Sequence, residues 1–185
     1  MLRLREKYLK EVIPLMKEKF GHKGDMAVPK IEKVVVNIGF GRLFSTGTSD
    51  EQRKLTENIL NDLTLITGQR PTLAKAKKSI SGFKIRQGMP IGAKVTLRRK
   101  KMYGFLEKII NVVLPRSRDF RGIEKVSVDN TGNLTIGIKE HITFPEISPE
   151  KTRFNLGLEV TVVNTAKDRE EAIELLKLLG FPLRA

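Results

Sequence analysis

Cysteine and tryptophan are absent from this chain of 185 residues, and tyrosine and histidine occur twice each. Without a thiol there is no disulfide framework and no Cys-ligated zinc or iron. His22 and His141 have no partner at metal-ligand spacing, so a metal centre would have to be assembled from scattered carboxylates, and none is expected. No uninterrupted apolar run approaches bilayer length, and residues 1–10 are dense in charge where a signal peptide carries an apolar core. The composition therefore predicts a soluble intracellular protein with no cofactor, no membrane partner and no small-molecule substrate.

The most informative absence is of acid. Between Leu63 and Leu106 there is no Asp or Glu, while Arg70, Lys75, Lys77, Lys78, Lys84, Arg86, Lys94, Arg98, Arg99, Lys100 and Lys101 all fall there. This stretch holds 11 of the 35 cations and none of the 21 acids, and so accounts for +11 of the formal net +14. A one-signed field of this kind concentrates polyanions, of which nucleic acid is the commonest in a cell. The plainer alternative is a solvated face, but such faces usually mix both signs. The stretch is also not low-complexity, because Ile80, Phe83, Ile85, Met89, Ile91, Val95 and Leu97 are interleaved with the cations, unlike a disordered tail.

The length and the 39% hydrophobic content suit one globular domain over residues 1–185. Leu4, Tyr8, Leu9, Val12, Met16 and Phe20 recur at helical spacing, with Gly21 as a stop and Pro14 as a source of a lost bond or kink. Residues 31–39 are a Val-rich strand whose alternation sets Val34, Val36 and Ile38 against Val35 and Asn37. Thr48 or Ser49 can cap a helix with the stripe Leu55, Ile59, Leu63 and Ile66, ended by Gly68. The basic stretch reads as two strands and a connection, with Phe83 and Ile85 alternating with Lys84 and Arg86, and Val95 and Leu97 with Lys94, Thr96 and Arg98. Met102 to Val113 is a helix that Pro115 should stop. Val126 and Val128 with Leu134, Ile136 and Ile138 form a hairpin, and Leu158, Val160 and Val162 a further strand. A last helix starts near Thr165 or Asp168, carries Ala172, Ile173, Leu176 and Leu179, and ends at Gly180. Together these predict an α+β fold, an antiparallel or mixed sheet with helices on one face and RNA on the other.

Catalytic motifs are missing. Gly39 and Gly41 resemble the start of a dinucleotide loop, but Phe44 occupies the third glycine position. There is no Walker loop, nucleophile elbow or zinc-protease motif. Pairs such as Glu140 with His141, or Asp119 with Arg121, are what solvated or structural neighbours commonly look like. The scarcity of aromatics argues against a sheet that stacks single-stranded bases, and leaves Lys, Arg, Thr and Asn to contact phosphate and ribose of a folded, largely double-stranded RNA. Asn37 and Thr96 stand out because short polar side chains allow close backbone approach and can bond a 2′-hydroxyl.

Five segments carry a family resemblance: VVVNIGFG at 34–41, LITGQRP at 65–71, AKKSISGFKIRQGMPIGAKVTLR at 76–98, LPRSRDFRG at 114–122 and ITFPEI at 142–147. In order, and spanning nearly the whole chain, they resemble the large-subunit ribosomal protein five family, which binds 5S rRNA, and the C-terminal segment resembles its bacterial form. Arg99 stands where many members of that family have Gly. The resemblance implies an antiparallel sheet with helices on one side and a structural, non-enzymatic part in attaching 5S rRNA to large-subunit rRNA in the central protuberance of the cytoplasmic ribosome. It implies rRNA contacts by Asn37, Gln69, Arg70, Lys94, Thr96 and Arg98, and P-site tRNA contacts by Lys77, Lys78, Ser79 and Ser81 in a protruding basic loop at 75–86. It also implies an intersubunit bridge to small-subunit ribosomal protein thirteen by Arg116, Arg118, Asp119, Phe120 and Arg121. A sequence-blind nucleic-acid coat protein is the alternative that charge alone would permit, and an RNA-directed enzyme is the third.

Overall fold

The computed structural model describes residues 3–41, 49–149 and 155–184. Thr48, Phe44 and the side chain of Ser49, to which the sequence assigned a cap or a test of the dinucleotide motif, lie outside what it describes. Five strands, β1 (Ile31–Gly39), β2 (Thr72–Lys75), β3 (Pro90–Leu97), β4 (Leu134–Ile138) and β5 (Leu158–Asn164), form one antiparallel sheet in the order β2-β3-β1-β5-β4. The helices are α1 (residues 4–20), α2 (Ser49–Thr67), α3 (residues 99–116) and α4 (Arg169–Leu179). This is the expected α+β class. Among the described residues no helix is long and apolar enough to cross a membrane.

The chain divides into two compact units, one of residues 1–34, 97–136 and 160–185, the other of residues 35–96 and 137–159. In the first, α1 presents Leu4, Tyr8, Val12 and Met16 to the interior, α3 presents Met102, Phe105, Leu106, Ile109 and Val113, and α4 presents Ala172, Leu175, Leu176 and Leu179. Tyr8 donates its hydroxyl to the Pro29 carbonyl at 3.1 Å. Burial, reinforced by Tyr103, pushes the pKa of that phenol up to about 12. Leu9 and Phe20, expected in the α1 stripe, are instead exposed.

Neither proline ends its helix at once. Pro14 follows a π-helical turn, Tyr8–Val12, and Pro115 follows another, Ile109–Val113. A proline ring collides with the carbonyl four residues earlier and offers no N–H. The wider π-turn makes room for that ring, so α1 runs on to Phe20 and α3 to Arg116.

The expected hairpin at 126–138 is mostly absent. Lys125–Ser127 is a 3-10 turn with Val126 82% exposed, and only Val128 pairs with Leu134, as a single bridge. Its loop is held by Asp129, whose carboxylate accepts the Asn133 N–H at 2.7 Å and the Thr131 hydroxyl at 2.9 Å. At the start of α4, Glu171 is buried. It accepts the Lys167 N–H at 3.0 Å and lies 2.7 Å from His22 Nε2, so this histidine has a structural partner.

In the second unit, Val36, Ile38 and Phe40 join Leu55, Ile59, Leu63 and Ile66 of α2 and Ala93 and Val95 of β3 in the core. Gly68, at φ +65°, ends α2 in the left-handed conformation that glycine adopts without penalty. His141 is fully buried. Its Nδ1 accepts the Leu156 N–H at 3.1 Å, which leaves the proton on Nε2, 3.8 Å from Asp62. Loss of solvation holds the His141 pKa below its ordinary value, only partly countered by the Asp62 charge, and burial likewise raises the Asp62 pKa.

This packing can be tested at two positions. A Cβ on Gly92 would stand 2.9 Å from the Ile38 carbonyl oxygen, a backbone atom of the neighbouring strand. Gly92→Ala should therefore cost about 1–3 kcal/mol in denaturant unfolding, as overpacked sites do. Because folding depresses the His141 pKa, the unfolded chain takes up the proton first on acidification, so stability present above pH ~6.5 should fall below it. His141→Asn, whose side-chain carbonyl can take over the Leu156 N–H, should flatten that fall in melts compared at about pH 7.5 and about pH 5.5.

Candidate nucleic-acid interface

Strand period decides where the cations of β3 go. Ala93, Val95 and Leu97 are buried at 0–4% exposure, so Lys94 and Thr96 must point to the opposite, open side, and both are exposed. The same parity on β1 buries Val34, Val36 and Ile38 and leaves Val35 and Asn37 half-open. Across β2, Thr72 faces Lys94 in register and Ala74 faces Gly92. The open face of β1, β2 and β3 in the second unit thus carries Val35, Asn37, Thr72, Ala74, Gly92, Lys94 and Thr96: short side chains with one cation among them.

Asn37 is not loose on this face. Its Nδ2 donates to Glu159 Oε2 at 3.4 Å, which leaves its carbonyl oxygen and second N–H for a partner. Sequence reasoning missed Glu159, yet the signal was available. In the run from Leu158 to Val162 the buried residues are Leu158, Val160 and Val162, so Glu159 must face the open side. Gln69 is half-buried just after α2, its backbone tied to the Thr67 hydroxyl, which donates to its carbonyl at 3.1 Å. Arg70 is exposed beside it. Arg98 is exposed too, but it belongs to the first unit, at the residue that caps α3. The next residue, Arg99, has φ +54°, a left-handed conformation that glycine takes more easily than arginine.

The loop between β2 and β3 is not the strand that its alternation suggested. Ser81–Phe83 is a 3-10 turn, Lys84 sits at φ +53°, and a single antiparallel bridge joins Ile80 to Ile85. Alternation failed here because no core covers its apolar side: Ile80 is 48% and Phe83 68% exposed, and Ile85 is only half-buried. Apart from Ala76, which is buried between Lys75 and Lys77, the cations of this loop are therefore not interleaved with core residues. Lys77, Lys78, Ser79 and Ser81 are all exposed, and the Ser79 hydroxyl oxygen accepts the Gln87 N–H at 2.9 Å.

The remaining group lies in the first unit, after α3. Arg116 is the last residue of α3, Arg118, Asp119 and Arg121 lie in the turn that follows it, all four are exposed, and Phe120 is half-buried. Arg118 and Asp119 approach to 4.0 Å, and Asp119 adopts φ +57°. The C-terminal segment fastens this turn, with Arg184 Nε donating to the Arg121 carbonyl at 2.6 Å and its backbone N–H to the Ile123 carbonyl at 2.8 Å. The second unit thus holds Asn37, Lys94 and Thr96 on an open sheet face, Gln69 and Arg70 after α2, and Lys77, Lys78, Ser79 and Ser81 on a loop, while the first holds Arg98 at the start of α3 and the residues from Arg116 to Arg121 at its end.

Comparison with known proteins finds sequence matches over nearly the whole chain. Residues 25–86 match the family model for ribosomal protein L5, and residues 90–183 match the model for the C-terminus of the same ribosomal family. The chain is 53% identical over 179 residues to the large ribosomal subunit protein uL5 of Halothermothrix orenii, covering 97% of each. It is also 53% identical over 182 residues to that of Caldanaerobacter subterraneus subsp. tengcongensis, covering 98% of each. The corresponding protein of Clostridium tetani is 52% identical over 180 residues, again with 97% of each chain covered. With both halves matched and the open face built from residues of those segments, this chain belongs to the ribosomal protein L5 family.

Proposed function

We propose that this protein is a structural constituent of the large subunit of the cytoplasmic ribosome, that it binds 5S rRNA, and that it helps attach it to large-subunit rRNA in the central protuberance. The observation that carries the reading is the open face of β3, where Lys94 and Thr96 stand beside Asn37 on a rigid sheet, in a chain whose relatives bear the name of a large-subunit protein. Short polar groups backed by a packed core suit ribose and backbone recognition by shape. A lone lysine supplies charge without dominating the contact. Gln69, Arg70 and Arg98 extend the rRNA contact.

Two further contacts complete the proposal. The exposed loop with Lys77, Lys78, Ser79 and Ser81 contacts P-site tRNA. The turn with Arg116, Arg118, Asp119, Phe120 and Arg121 makes an intersubunit bridge to small-subunit ribosomal protein thirteen. The role is architectural, with binding rather than turnover as its output.

Competition and salt dependence test this reading. The protein should prefer 5S rRNA over a generic duplex of equal length, whereas a coat protein would be displaced as readily by bulk DNA. The log-log salt slope should be roughly −0.7 to −0.9 per phosphate neutralised. Asn37→Ala and Thr96→Ala should each weaken 5S binding by about 1–2 kcal/mol, roughly 5- to 30-fold, at unchanged slope. Lys94→Ala should reduce the slope by about one. Identical behaviour of all three variants would contradict recognition by shape.

A further inference from the structure

We infer that Phe83 is a stacking platform for an accessible base of the tRNA held by the loop; the inference rests on the tRNA reading of that loop. Phe83 is 68% exposed on a turn that also leaves Ile80, three residues earlier, 48% exposed, so this one short segment presents two large apolar side chains to solvent. The backbone around them is fixed. Ile80 and Ile85 exchange both N–H···O bonds, at 2.9 and 3.2 Å, and the Lys84 N–H donates to the Ser81 carbonyl at 3.0 Å. Below this, the Ala76 N–H donates to the Met89 carbonyl at 2.8 Å, and the Gly88 N–H to the Ala76 carbonyl at 2.9 Å. The ring is therefore presented on a braced turn and loses little backbone entropy on binding.

The surroundings of the ring select its partner. Lys77, Lys78, Lys84 and Arg86 are exposed, the segment contains no acid, and none of the four forms an ion pair among the described residues. An apolar protein surface would gain nothing from four unpaired cations. An RNA gives them phosphates and gives the ring a base face, which is the combination that stacking sites use. Lysines supply attraction that fades with salt. Phe83 supplies a contact that does not, and one that only an unstacked or end-exposed base can accept.

Large subunits reconstituted with the full-length protein and its variants, titrated with tRNA at several salt concentrations, test this directly. Phe83→Ala should weaken tRNA binding about 5- to 100-fold, the effect of losing one base–aromatic stack, without altering the salt slope. Phe83→Tyr should restore binding, and Phe83→Leu should not. If Leu served as well as Phe, the contact would be plain apolar packing and the inference would be overturned. If Phe83→Ala had no effect while Lys77→Ala with Lys78→Ala weakened binding, the inference would fall and the loop's assignment to tRNA would stand. If neither did anything, that assignment would fall as well.

Discussion

Burial of one face of the sheet is the constraint on which the surface chemistry depends. With Ala93 and Val95 in the core of the second unit, the two-residue period leaves Lys94 and Thr96 no direction but outward. A slip of one residue would bury Lys94 without a partner, at a cost comparable to a domain's whole margin of stability. Gly92 reinforces the arrangement, because its strand passes so close to the Ile38 carbonyl that no side chain fits between them. The polar face is thus set by the apolar one, and its rigidity comes from the core behind it.

The basic loop works by the opposite means. Among residues 80–86 only Ile85 is even half-buried, and backbone bonds hold the turn instead of a core, so cations are exposed together with Ile80 and Phe83. This gives the second unit two surfaces of different character. The sheet offers short hydrogen-bonding groups with Asn37 steadied by Glu159, suited to a shaped RNA surface. The loop offers dispersed positive charge around one aromatic ring. Both carry cations, and what distinguishes them is how each side chain is held.

Much of this was legible in the sequence wherever burial generates periodicity. The alternation in β1, β3 and β5, the stripe of α2 and the glycine stops at Gly21, Gly68 and Gly180 all have local causes and all appear in the structure, while in α4 Leu175 takes the buried place expected of Ile173, which is half-buried. The segment around Phe83 misled because alternation of apolar and charged residues says which side chains share a face, and nothing about whether anything covers that face. Val126 misled for the same reason. The Asp62–His141 and His22–Glu171 pairs join residues 79 and 149 positions apart, beyond the reach of any local pattern. Asn37, Lys94 and Thr96 were placed on an open face by parity alone, whereas the π-turns before Pro14 and Pro115 left no trace in composition or spacing.

The sheet face and the loop are proposed as separate RNA surfaces, with the sheet face reading 5S rRNA by shape. Hydroxyl-radical footprinting of 5S rRNA, with the full-length protein and with a variant whose residues 78–86 are replaced by a short Gly/Ser turn, measures this most directly. The same ribose protections are expected with both proteins, and none on a generic duplex at equal concentration. Loss of the protections on trimming the loop, or equal protection of the generic duplex, would contradict two separate surfaces and recognition by shape, respectively.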